Sequence, residues 1–165
     1  MTVDAFKSFS KKQLILLNWW TDSSPYKNRD AIICDGSVRS GKTVCMFLSF
    51  IFWAFYMFSD SSFAVCGKTI TSLRRNIITP MLPMLRSLGF TYEELVSKNM
   101  IIIKKDGREN RFYIFGGKDE GSAALIQGMT LSGVMLDETA LMPRSFCEQA
   151  IARCSVDNSR LWFNC

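Results

Sequence analysis

At 165 residues the chain has the length of one domain, and its 48% hydrophobic and 13% aromatic content excludes a disordered segment. Twenty basic against fifteen acidic side chains give a net charge of +5, a mild lean toward polyanions such as nucleic acid that an ordinary basic enzyme shares. With no histidine and no Cys-x-x-Cys pair among six cysteines, zinc-ribbon and zinc-finger classes are excluded, and the cysteines read as reduced core thiols of a cytosolic protein.

The first nine residues lack a basic end followed by an apolar core, so no secretory signal is expected there. Ser10 and Gln13 fit a capping box ahead of Leu14–Trp20, an amphipathic helix. A polar loop over Thr21–Asp30 leads to Ala31–Asp35, which reads as a short buried strand. A helix is expected from Lys42. Its apolar part, Val44–Phe58, spans 15 residues, short of the roughly 20 that cross a bilayer, so it reads as a central, well-covered helix.

Ser59–Ser62 stops that helix, and Phe63–Cys66 reads as the second strand. Thr71–Leu88 is helical by pattern but carries Pro80 and Pro83. An interior proline costs about 3 kcal/mol, so two pieces are expected, the second capped by Thr79 with Pro80 at its first position. Thr91–Glu94 offers a capping box for a short helix. Met100–Lys105, Asp106-Gly107 and Arg111–Phe115 form a hairpin signal, followed by a loop over Gly116–Gly121 and a single turn over Ser122–Ile126. Gly133–Asp137 reads as a strand ending on an acid, Pro143–Cys154 as a helix, and Arg160–Asn164 as a final strand. This order implies an α/β fold with a mostly parallel central sheet, helices on both faces and an added β-hairpin.

Gly36-Ser37-Val38-Arg39-Ser40-Gly41-Lys42-Thr43 satisfies G-x-x-x-x-G-K-[ST] between a strand and a helix, the setting of a nucleoside-triphosphate cradle. Backbone N–H groups of the loop and the helix start would face the phosphates, Lys42 would add a point charge, and the Thr43 hydroxyl would meet Mg²⁺. Asp137 at a strand tip would hold the same ion directly or through its water, and Glu138 would orient and deprotonate an attacking water. The rival reading is a strand that happens to end in two acids. Arg39 either reaches a γ-phosphate oxygen or points to solvent. Gln13 either reads an adenine edge or serves the capping box alone. Lys68, Arg74 and Arg75, and Lys104, Lys105, Arg108 and Arg111, either meet DNA phosphates or are solvated charge.

Taken together, the loop, the upstream helix with Gln13, Phe115-Gly116-Gly117 after the hairpin, and Gln127-Gly128 before Leu136-Asp137-Glu138 resemble the large terminase subunit of tailed bacteriophages, in its prophage-type group. The resemblance runs from about Phe9 to Asn164 and implies a three-layer P-loop NTPase fold of the RecA/ASCE kind. It implies an ATP-driven, Mg²⁺-dependent motor that packages viral double-stranded DNA in the host bacterial cytoplasm. The implied partners are DNA, the portal protein, the terminase small subunit and further copies on the portal, with no membrane. The family's loop arginine maps onto Arg39, its metal acid onto Asp137, its catalytic glutamate onto Glu138, its adenine-reading glutamine onto Gln13, and the first residue of its coupling segment onto Asn164. The chain ends where the family continues, so an incomplete N-terminal ATPase domain without the nuclease is expected. Two rivals stand beside this reading. One is a P-loop small-molecule kinase, against which the adjacent acids argue because a water-activating carboxylate would waste ATP; the other is a remnant that only binds nucleotide or partner proteins.

Overall fold

The computed structural model describes residues 8–36, 41–118 and 122–165. Seven strands form one sheet: β1 (Ala31–Cys34), β2 (Ser61–Gly67), β3 (Thr91–Leu95), β4 (Met100–Lys105), β5 (Arg108–Gly116), β6 (Gly133–Leu136) and β7 (Arg160–Asn164). Their spatial order is β1-β7-β6-β2-β5-β4-β3. The first five in that order run parallel, and β4 and β3 extend the sheet antiparallel beyond β5. The β4–β5 hairpin turns on Asp106-Gly107, both with positive φ (50° and 77°), as a two-residue turn requires.

Helices cover both faces, as the alternation along the strands demands. Phe63 and Val65 of β2, Met135 of β6 and Trp162 of β7 share one core with α1 (Lys11–Asn18), α2 (Lys42–Met57) and α4 (Thr79–Ser87). Ala64 and Cys66, Val134 and Leu136 point the other way, into a second core with α5 (Ala123–Ile126) and α6 (Arg144–Ala152). The larger core is aromatic. Trp53 and Trp162 lie 4.8 Å apart between ring centroids, and Phe50 meets Phe63, Phe112 and Trp162 edge-on, pairs worth about 0.5–1.5 kcal/mol each beyond their buried area. Gly133 admits the Trp53 indole to the sheet, because a Cβ there would come within 2.6 Å of the ring. Among the described residues no helix is long and apolar enough to cross a membrane, and α2 is instead buried on most of its surface.

Several local readings are corrected. The strand expected to be buried, Ala31–Asp35, is the edge strand β1, with Ala31 and Ile33 exposed and Cys34 buried. Thr91–Leu95 is not a helix but strand β3, paired antiparallel with Met100–Lys104. A pattern that serves a helix start also suits an edge strand, and the pairing with β4 decides between them. The expected break at Thr79 is absent too. Thr79 is itself helical (φ −57°), and α3 (Ile70–Leu73), a π-helical stretch over Arg74–Ile78, and α4 follow without interruption, with Pro83 inside α4. The π turn closes with Thr79 N–H donating to Arg74 O, five residues back. Its wider ring gives Pro80 room against the preceding turn, where proline presses on the carbonyl four residues earlier and donates nothing to it. All six cysteines are free, but only Cys34, Cys45 and Cys66 are core thiols; Cys147 and Cys154 are half-buried and Cys165 is exposed.

Candidate functional site

The site lies at the C-terminal edge of the parallel strands. Because β7 runs between β1 and β6, Asn164 at its tip stands between the glycine loop after β1 and the acids after β6. Its amide Nδ2 donates to Asp137 Oδ1 at 2.6 Å and to Thr43 Oγ1 at 3.3 Å. One side chain thus joins the three elements that sequence motifs placed up to 121 residues apart.

Gly41 opens α2 in the left-handed region (φ 73°), which only glycine adopts at little cost, and Cys45 N–H donates to its carbonyl at 3.1 Å. A Cβ on Gly41 would also come within 2.9 Å of Gln13 Nε2. Lys42 Nζ donates to Gly36 O at 2.6 Å and to Cys165 O at 3.0 Å, so the ammonium arches back over the loop's entrance. Ser37, Val38, Arg39 and Ser40 lie outside the described residues, and with them both readings of Arg39.

Asp137 is buried, and burial pushes its carboxyl above the usual carboxylate range. The Glu138 charge next to it acts in the same direction, while the Asn164 amide and the Lys42 charge pull back. Glu138 is exposed and left-handed (φ 53°, ψ 49°). That conformation costs a side-chain-bearing residue on the order of 1 kcal/mol, and it ends β6 abruptly, sending the chain into the 3₁₀ turn Thr139–Leu141. Strain of this kind is tolerated where a surrounding structure holds a residue for use.

Two clefts flank the loop and share Gly36 and Lys42. One, about 390 Å³, is lined by Gly41, Thr43, Asn76, Asp137, Glu138 and Asn164. The other, about 410 Å³, is mostly apolar and includes Gln13, Ile15, Leu16, Ile32 and Ile33. The capping box is formed: Gln13 Oε1 accepts from Ser10 N–H at 2.8 Å, and Ser10 Oγ accepts from Gln13 N–H at 3.2 Å. Gln13 therefore fulfils the structural reading and also stands in the apolar cleft, its amide nitrogen beside Gly41.

The basic residues sort differently. Arg108 donates to Phe55 O (2.8 Å) and Tyr56 O (3.0 Å) at the end of α2, and Lys105 donates to Leu88 O (2.8 Å) past the end of α4. Both neutralise helix C-termini, where free carbonyls and the dipole favour cations. Arg111 pairs with Asp60, Lys104 with Glu109 and Arg74 with Glu94. Sequence reasoning missed Asn76 at the site; the one signal near it is Pro80, four residues on, whose missing N–H shapes the turn that carries it.

A solved large terminase from a thermophilic bacteriophage superposes with a TM-score of 0.92 at 53% identity, covering 96% of this chain and 39% of that one. The same protein in complex with ADP matches at 52% identity (TM-score 0.92, 95% and 39% covered), and in complex with ATP-gamma-S at 50% (TM-score 0.89, 96% and 38%). The Thermus phage P74-26 large terminase ATPase domain shares the fold at 16% identity, with a TM-score of 0.61 over 81% of this chain and 58% of that one. No family model matches the chain, nor does any curated protein. The chain spans about two fifths of the length of the thermophilic phage's terminase.

Proposed function

Because the chain belongs to the family of phage large-terminase ATPase domains, we propose that it binds ATP with Mg²⁺ and hydrolyses it to drive packaging of double-stranded viral DNA. The observation that carries this is the convergence of Lys42, Thr43, Asp137, Glu138 and Asn164 on one cleft.

The adenosine end occupies the apolar cleft beside Ile32 and Ile33. There Gln13, its oxygen held by Ser10, stands beside the base. The phosphates run along the loop past Gly41, where the start of α2 supplies backbone N–H groups. Lys42 exchanges the carbonyls of Gly36 and Cys165 for β- and γ-phosphate oxygens. Arg39, in the same loop, neutralises γ-phosphate charge. A hydroxyl and a buried carboxylate that share one amide donor form a hard-oxygen pair suited to Mg²⁺, and a cation there would offset the burial of the Asp137 charge. Thr43 and Asp137 would hold the ion, which would supply charge neutralisation to the phosphates. Glu138 takes a proton from water as the water oxygen bonds to the γ-phosphorus and ADP leaves. Asn164 touches both Thr43 and Asp137, so a change at the γ-phosphate reaches β7, which fits the coupling role that family resemblance assigns to it.

In the working assembly, by this reading, copies of the protein act on the portal with the small subunit and DNA in the host cytoplasm. The direct test is nucleotide binding by calorimetry with Mg²⁺. The wild type binds ATP-gamma-S, and Lys42→Ala removes that binding; a Lys42→Ala protein that binds as well as the wild type refutes the site.

A further inference from the structure

We propose that Asn76 donates a hydrogen bond to the γ-phosphate, so that the π-helical turn carrying it distinguishes ATP from ADP. This rests on the ATP reading above.

Three observations carry it. Asn76 lines the cleft of Thr43, Asp137 and Glu138 and not the apolar cleft at the nucleoside end, which places it at the γ-phosphate end of a triphosphate. Its Oδ1 accepts from Arg75 Nε at 3.2 Å, so the carboxamide presents its N–H₂ on the other side. Phosphate oxygens accept hydrogen bonds and never donate them, so the nitrogen is the end of the amide they require. The segment is also anchored. Leu73, Ile77 and Ile78, on either side of Arg75 and Asn76, are at least 98% buried in the core that α2 shares, while Arg75 and Asn76 remain exposed.

The turn itself follows from the sequence. Pro80 has no N–H, so the Asn76 carbonyl lacks the usual partner four residues on, and the ring closes instead from Thr79 to Arg74. A π turn displaces the residues within it relative to an α-helix, and such turns occur frequently at functional sites. The helical run begins with Thr69, whose Oγ1 accepts from Ser72 N–H at 3.1 Å, two residues after β2. Since β2 pairs with β6, Asn76 rides on the element that follows the strand next to the acid pair. The cleft is thus closed by α2, the acids, β7 and this turn, and only the last of these has no assigned part in phosphate chemistry.

The experiment measures affinity for ADP and for ATP-gamma-S, each with Mg²⁺, in the wild type, Asn76→Ala and the isosteric Asn76→Asp. A hydrogen bond to a charged group predicts about a tenfold loss of ATP-gamma-S affinity in Asn76→Ala with ADP affinity within about twofold. Asn76→Asp, which sets a carboxylate against the phosphate, loses more. Equal losses for both nucleotides, or none, overturn the assignment, since a structural role has no reason to spare ADP. Asn76→Asp keeps the side-chain shape and gives the same readout if the alanine variant fails to fold. A wild type that binds neither nucleotide overturns the ATP reading, and this assignment with it; a wild type that binds both while the variants match it overturns this assignment alone.

Discussion

Ser49→Ala removes one oxygen from the middle of α2 and leaves two indoles without their acceptor. The Ser49 hydroxyl is fully buried and accepts from Trp20 Nε1 and Trp162 Nε1, each at 3.2 Å. It thereby ties the segment after α1 and strand β7 to the central helix. Alanine removes almost no volume, so the cost is that of the orphaned donors, about 1–3 kcal/mol for a buried one. Trp162 is fully buried and bears the full penalty; Trp20 is only half-buried and recovers part of it from water. The sum is about 2–4 kcal/mol. With a urea m-value of about 2 kcal/mol/M, the midpoint falls by roughly 1–2 M at unchanged slope. Urea unfolding followed by circular dichroism measures it, since indole fluorescence would respond to the substitution directly. A loss under about 0.5 kcal/mol would refute the argument.

Three further outcomes follow from the same reasoning. Arg108→Met should lower stability by about 1–2 kcal/mol, because the α2 carbonyls of Phe55 and Tyr56 lose their cation, while DNA retention on a filter stays within about twofold. Glu138→Gly should stabilise the fold by about 1 kcal/mol of relieved left-handed strain, seen as a higher thermal midpoint, while ending ATP turnover; a drop in midpoint contradicts the strain argument. Thiol alkylation at pH 8, followed by mass spectrometry, should label exposed Cys165 first. Burial pushes Cys34 up to about 11 and Cys154 up to about 12, and raises Cys45, Cys66 and Cys147, so these five react more slowly than Cys165. Cys34 labelling as fast as Cys165 would contradict it.

What could be read in the sequence was local. The capping box at Ser10 and Gln13, the Asp106-Gly107 hairpin and the strand over Arg160–Asn164 are written in adjacent residues and stand in the structure as expected. Thr91–Glu94 shows the limit: its local signal favours a helix start, and only pairing with β4 makes it a strand. Pro80 misled for a related reason, since its cost is counted against an α-helix while the turn before it is π-helical; Pro83 is carried inside α4 itself. At the site, the loop and the acid pair were legible as motifs, whereas Asn164 was reached through resemblance alone and Asn76 not at all. The partners of Arg108 lie more than fifty residues away in α2, so no reading of neighbouring residues separates a helix-capping arginine from a DNA-binding one.

Hydrolysis of ATP by water at this cleft is measured by phosphate release with Mg²⁺-ATP and no added acceptor, in wild type and Glu138→Gln. The wild type should release phosphate, and Glu138→Gln should bind ATP-gamma-S with unchanged affinity but release phosphate at least about a hundredfold more slowly, the scale of a lost general base. Normal release by Glu138→Gln would contradict the assigned base, and release that requires an acceptor would favour a kinase over a motor.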